Sequence, residues 1–219
     1  EISDATVSVD DRVGADGYRL PVRFDAVNIR AGFEYAPVHY SIQLDHLGFH
    51  TSSPQLTLTE LTGKLAVRDD NLYLDRMTIR TAESSLTIDG VVEQYLKTPI
   101  LRVTTTGRAS LPEIGRIFPA ASGYSLRPAF DVRAAGPADK LALKLDVKSE
   151  AGNVRGEVTT DVKAPDFAVR GGVDVEHLDL APLLKNPSQR SDITGHGVVD
   201  LRMSAPASEP VFGRIRGTY

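Results

Sequence analysis

The sequence contains no cysteine, no tryptophan and only 2 methionines, and nowhere strings together enough apolar residues to span a bilayer. Each shortage narrows what the chain can be. Without cysteine there is no disulfide framework, zinc-thiolate site, iron–sulfur cluster or cysteine nucleophile; the compartment stays open, because an oxidising one also favours a chain with no stray thiol. The lack of a run of roughly 18 to 20 apolar residues excludes a membrane-spanning helix in this stretch. Charge of one sign is not in excess either. The 25 Lys+Arg and 29 Asp+Glu are interspersed and sum to −4, so no basic stripe offers itself to nucleic-acid phosphates. Helical periodicity is scarce, and with it parallel βαβ units, which need a helix of ten or more residues between strands. At 41% hydrophobic over 219 residues the chain is nevertheless globular rather than disordered. It starts Glu1-Ile2-Ser3 and stops at Tyr219 in what reads as mid-strand, which predicts a piece of a longer protein.

What is abundant is alternation. Val38, Tyr40, Ile42 and Leu44 recur at every second position, as do Leu141, Leu143, Leu145 and Val147 with Lys144 and Asp146 between the latter. Successive side chains of a strand point to opposite faces, so these are half-buried strands. The same period runs through Leu65 and Val67; Leu86 and Ile88; Leu101, Val103 and Thr105; Val154, Val158 and Val162; Phe167, Val169, Val173 and Val175; and Val199, Leu201 and Met203. Roughly twelve to fifteen strands are predicted. Leu72 and Leu74 are even but Met77 and Ile79 are odd, so the two pairs share a face only if an extra residue near Asp75-Arg76 forms a bulge. Turn residues at Ala15-Asp16-Gly17, Asp69-Asp70-Asn71, Asp89-Gly90, Ala135-Gly136-Pro137 and Ala151-Gly152-Asn153 keep the connections short, which joins strands antiparallel. The expected fold class is all-β, a long curved antiparallel sheet with two short helices.

The first helix, about 111–118, gathers Leu111, Ile114, Ile117 and Phe118 behind Ser110, with Pro112 in its first turn and Pro119 as its stop. The second, about 179–185, offers Leu180, Leu183 and Leu184 behind Asp179, and Asn186-Pro187 ends it. Both are too short to stand alone and must dock on a sheet. Residues 20–29 and 56–65 alternate alike, and each helix follows a block of strands. This divides the chain into two β modules, 1–120 and 121–219, read as parts of one continuous groove.

Patterns for catalysis or metal binding are not found. His39, His46 and His50 fall on what reads as a strand running into a loop, where residues four apart lie roughly 13 Å from one another. Asp69-Asp70-Asn71 with Asp75 lacks the Gly and distal Glu of an EF-hand and reads as a hairpin turn. There is no Gly-x-Ser-x-Gly elbow, and neither Ser84-Ser85 nor Ser122-Gly123 has a histidine that the strand pattern brings near. No glycine-rich loop opens a helix to cradle phosphate, and no spacing singles out a carboxylate pair. Gly195-His196-Gly197 precedes a strand as a turn or close backbone approach. Tyr18, Tyr35, Tyr40, Tyr73, Tyr95, Tyr124 and Tyr219 share no register that would make a sugar-stacking row. The expectation is a non-enzymatic protein with no cofactor and no metal.

The stretch Leu61 to Val92, LTGKLAVRDDNLYLDRMTIRTAESSLTIDGVV, combines a Gly-x-Leu strand, a tight acidic turn, a Leu-x-Leu strand and a Ser-x-Leu-x-Ile-x-Gly return. Val173 to Met203 adds a strand, an Asp-Leu-Ala-Pro-Leu-Leu turn and a Thr-Gly return strand, and Ser110 to Pro119 supplies the other short helix. In their order these motifs, covering about half the chain, resemble the AsmA-like family, which includes the TamB-type proteins. The resemblance implies a β-taco, a long antiparallel sheet with an apolar concave face. It also implies a periplasmic position with an inner-membrane anchor outside this chain, and carriage of phospholipid between the inner and outer membranes in support of outer-membrane biogenesis. An outer-membrane β-barrel and inner-membrane components are the implied protein partners, through parts outside this chain.

Two readings of the apolar residues stand side by side. In the first, Leu65, Val67, Leu72, Leu74, Leu86, Ile88, Leu101, Val103, Leu141, Leu143, Leu145, Val158, Val169 and Val173 line an open lipid-conducting groove. In the second, the same residues form the closed core of a structural or ligand-binding β-repeat or β-sandwich that carries no lipid.

Overall fold

The computed structural model describes residues 1–9, 19–37, 39–162, 167–203 and 212–218. Thirteen strands follow one another, β1 (Ile2–Ser8), β2 (Arg23–Ala36), β3 (His39–Ser52), β4 (Gln55–Arg68), β5 (Asn71–Thr81), β6 (Ser85–Glu93), β7 (Ile100–Arg108), β8 (Ala129–Pro137), β9 (Leu141–Ser149), β10 (Gly152–Asp161), β11 (Phe167–Leu178), β12 (Ile193–Met203) and β13 (Phe212–Thr218). Helix α1 (Leu111–Ile117) joins β7 to β8, and α2 (Leu180–Leu184) joins β11 to β12. Every strand pairs antiparallel with the next in chain order, and β1 and β13 are the two edges, so the sheet is open. The proposed division near residue 120 interrupts nothing in the sheet: β7 pairs with β8 residue by residue from Ile100 opposite Pro137 to Arg108 opposite Ala129.

Directly opposed residues of paired strands share a face, so the register traces each face across the molecule. One line of partners runs Ile42, Leu65, Leu74, Gly90, Val103, Ala134, Leu143, Val158, Gly171 and Val199. A second runs Ile88, Thr105, Val132, Leu145, Gly156 and Val173. The opposite face is polar, with Asp131, Asp146, Arg155, Asp174 and His196 in one line. Its charges are paired across strands, Arg155 with Asp146 at 3.1 Å and Lys144 with Glu157 at 3.0 Å. These pairs are solvent-exposed, and their contribution is to register more than to stability.

The phase slip in β5 is a bulge. Pairing with β6 breaks between Leu74 and Met77, where Arg76 takes φ 44°, and both hydrophobic pairs stay on the apolar face. Matching breaks occur in β4 between Thr62 and Lys64 and in β3 between Leu44 and Leu47, so the irregularities line up as a crease across three strands. Gly63 sits in that crease with φ 134°, and a Cβ there would lie 2.7 Å from the Cα of Met77. Several glycines of the apolar face are in similarly close contact: a Cβ on Gly90, φ 147°, would lie 2.1 Å from the carbonyl oxygen of Arg102, and one on Gly171 would lie 2.1 Å from that of Glu157. Neighbouring backbone therefore rises on the apolar side, and the sheet curls towards it.

The structure corrects four turn or loop expectations. Asp89-Gly90 lies inside β6, Ala135-Gly136-Pro137 closes β8 ahead of a turn at 138–140, and Gly195-His196-Gly197 lies inside β12. Residues 47–49, expected to leave the strand, continue β3 to Ser52. At Gly48, Gly90 and Gly136 the glycine marks a close approach of neighbouring backbone, where a Cβ would lie 3.3, 2.1 and 3.2 Å from the carbonyl oxygens of Leu58, Arg102 and Lys140. Val162 falls just past β10 and is exposed. Val38, Ala15-Asp16-Gly17 and Tyr219 lie outside the described residues.

No second layer packs on the apolar face among the described residues. Among the described residues the buried apolar side chains are few: Val27, Leu58, Val67, Leu126, Ala138, Leu141, Ala151, Val158 and Ala181. The chain exposes 13971 Å², where a compact protein of 23.7 kDa exposes about 9,800 Å² by the usual scaling with mass. Gly90→Ala tests the curl directly. With strained backbone and no space for a methyl, it is expected to lower unfolding free energy by roughly 2 to 3 kcal/mol, read as a shift in the urea midpoint.

Candidate functional site: the uncovered apolar face

All fourteen apolar residues singled out in the sequence lie on one face of the sheet. Val67, Leu72, Val92 and Leu101 oppose one another across β4 to β7, and Leu65, Leu74, Val103, Leu143 and Val158 lie on the line traced above. Leu86 sits beside Ile79, Ile88 beside Met77, and Thr160 links Leu141 to Val169. Of the fourteen, Val67, Leu141 and Val158 are buried and the other eleven half-buried. That is the exposure of side chains shielded in the main by their neighbours within the sheet. The apolar surface is continuous from strand to strand.

The two long rims of this face, formed by the strand ends, differ. One carries both helices. Ser110 caps α1, its hydroxyl accepting from the Glu113 backbone N–H at 3.4 Å, and the Leu111 N–H donates to the Leu126 carbonyl at 3.0 Å. The buried centre of this contact is polar. Glu113 is 2% exposed and one of its carboxylate oxygens accepts from the hydroxyls of Thr81 and Ser84, both at 2.5 Å. Ser84 in turn accepts from the Ser110 N–H at 3.0 Å. Beside it, Glu83 accepts from the Ser110 hydroxyl at 2.8 Å and pairs with Arg116 at 3.0 Å and Arg127 at 3.2 Å. The knot ties α1 to the β5–β6 turn. Asp179 caps α2, accepting from the N–H groups of Ala181 at 3.0 Å and Ser191 at 3.1 Å. Lys185 then joins the two helical segments: its ammonium donates to the Ser122 carbonyl at 2.6 Å and lies 4.0 Å from the centre of the Tyr124 ring.

The other rim is built from hairpins. Asp69 and Asp70, both left-handed at φ 51° and 61°, make the turn between β4 and β5, and the β6–β7 connection folds over it through a Tyr95 N–H to Asp70 carbonyl bond of 3.1 Å. Tyr40 and Tyr95 bring their hydroxyls to 3.3 Å, and with Val67, Asp69 and Asp70 they enclose a hollow of about 480 Å³. The hydrogen bond to Tyr40 raises the Tyr95 hydroxyl above the ordinary tyrosine value, with burial and the charge of Asp70 adding to it. Phe33, Tyr35 and Leu96 stand more than two-thirds exposed on this rim.

Sequence periodicity missed Glu113, since the helix was read for its apolar stripe. The signal was present as Ser110-x-x-Glu113, the spacing of a capping box. The hollow was missed because Tyr40 and Tyr95 are 55 positions apart and meet only through the register. His46 and His50 sit within β3 opposite Arg30 and Asp25, and among the described residues no group of three or more His, Asp or Glu is placed to hold a metal ion. Ser84 is committed to Glu113 and Ser110. Among the described residues no helix is long and apolar enough to cross a membrane. The chain matches no protein-family model, and comparison with curated proteins and with solved structures gives no match.

Three carboxylates on the helical rim are held below their ordinary range. Glu83 is lowered chiefly by the Ser110 hydroxyl, then by Arg127 and Arg116; Glu150 by the Arg127 backbone N–H; Asp179 by the N–H groups of Ala181 and Ser191. A carboxyl lowered by folding stabilises the folded state fully above its unfolded value, here 4.5 for Glu83 and Glu150 and 3.8 for Asp179, and loses that contribution as pH falls through the lower folded value. Hydrogen exchange is therefore expected to show both helices opening below about pH 4 before the central strands β6 to β10 do. Simultaneous opening would contradict this assignment.

Proposed function

We propose that this chain is a segment of a lipid conduit, carrying phospholipid acyl chains along the apolar face of its open sheet. The observation that carries the reading is a face rich in Val, Leu and Ile, interspersed with Gly, Ala and Thr, that runs across consecutive strands with no second layer packed on it among the described residues. The mechanism is partition. Each methylene that leaves water for such a surface gains about 0.8 kcal/mol, while the charged headgroup stays at the rim in water. A lining of similar aliphatic side chains offers no single deep trap, so a chain slides from strand to strand. Thirteen strands at about 4.8 Å spacing give a path of roughly 58 Å. On this reading the segment works in the aqueous space between inner and outer membranes, as the AsmA-like resemblance implies, with further modules and an outer-membrane β-barrel completing the path.

The test is native mass spectrometry of protein purified from a membrane-containing host, followed by lipid extraction. Bound phospholipid is expected. Leu143→Asp, on the half-buried line between Ala134 and Val158, is expected to abolish it while leaving a folded protein, because its carboxylate remains hydrated. A lipid-free wild type whose Leu143→Asp variant unfolds would instead indicate a closed core and overturn the proposal.

A further inference from the structure

The hollow on the hairpin rim combines features that the rest of the apolar face does not. Its floor, Val67, belongs to the continuous apolar line through Leu72, Val92 and Leu101. Tyr40 and Tyr95 also line it, together with Asp69 and Asp70, whose carboxylates are exposed to solvent. The ammonium of Lys97 lies 3.4 Å from Asp70. Aromatic rings and carboxylates together attract an ammonium, whereas a lysine and the one phenol hydroxyl not donating to its neighbour suit a phosphate oxygen. An apolar floor that continues into a hydrocarbon-binding strip calls for a ligand with chains attached. We propose that this hollow binds the amine-phosphate headgroup of a zwitterionic phospholipid whose acyl chains lie on the apolar face, an inference that rests on the conduit reading.

Local charge favours the zwitterion over an anionic lipid. Asp69 and Asp70 balance Arg68 and Lys97, so the mouth has no net positive charge, and the Arg68 guanidinium is drawn away over the Tyr73 ring at 5.2 Å. The existing pairs are weak competitors: Lys97–Asp70 is exposed, and Arg68–Asp69 is 3.9 Å apart. The opening on the opposite rim, about 570 Å³ and lined by Arg108, Arg127, Ala129, Lys148, Ser149 and Glu150, differs in kind, with no aromatic ring in its lining.

The experiment is a native mass spectrometry competition on delipidated protein, with phosphatidylethanolamine and phosphatidylglycerol of matched chains. Wild type is expected to prefer the ethanolamine lipid by about three- to fivefold, the scale of an exposed cation on aromatic rings. Asp70→Asn with Tyr95→Phe should bring that ratio to about one with total bound lipid unchanged. Asparagine tolerates the left-handed backbone at position 70, so the variant is expected to fold. Equal binding by wild type, or a preference that survives in the variant, overturns the headgroup site and leaves the conduit reading standing. Binding of neither lipid overturns both. Chain-free phosphoethanolamine is expected to compete only weakly; full competition would reassign the hollow to a soluble amine phosphate and overturn the lipid source.

Discussion

The structure depends on parity. In a meander of paired strands, one residue of slip moves a whole strand's apolar set to the wrong side. Here parity is kept across the sheet, and where the sequence would break it the backbone absorbs the odd residue. The bulge at Asp75-Arg76, with its counterparts in β3 and β4, is the clearest case: it keeps Leu72, Leu74, Met77 and Ile79 on one face. The apolar surface is therefore continuous because the strands are locally irregular. The same irregularities, with the close approaches at Gly63, Gly90 and Gly171, bend the sheet towards the apolar side. Continuity and curl have one origin.

The two rims express different physics. On the helical rim, the short helices cannot be stable alone, and they are held by buried or partly buried hydrogen bonds centred on Glu113, Glu83 and Asp179 rather than by large apolar contacts. Such directional ties make that rim specific in geometry, and the lowered carboxyls of Glu83 and Asp179 make it sensitive to acid. On the hairpin rim the turns are tight and the side chains amphipathic. Tyrosine and exposed aliphatic groups there combine an apolar body with polar tips at the edge of the apolar face.

Much of this was legible in the sequence for a definite reason. Period-2 alternation is a property of a strand by itself, so the all-β class, both helices and the fourteen residues of the apolar face follow from local pattern. Glycine was less legible, because the same residue serves a turn and a close approach inside a strand. Gly90 and Gly197 look alike in sequence to turn glycines yet sit within β6 and β12. Contacts that need the register, such as Tyr40 with Tyr95 or Lys185 with Ser122 across 63 positions, leave no trace in local pattern. Glu113 lies between these cases. Its spacing from Ser110 is that of a capping box, but its partners Thr81 and Ser84 belong to another hairpin.

The central claim is that acyl chains ride on one face of the sheet and not on the other, and a single step along β9 separates the two. A photocrosslinking side chain placed at Leu143 points to the apolar face, whereas one at Lys144 points to the charged face. Irradiation in cells is predicted to give phospholipid adducts at position 143 and none at 144. Adducts at both positions equally, or at neither while the protein is folded, would contradict the account.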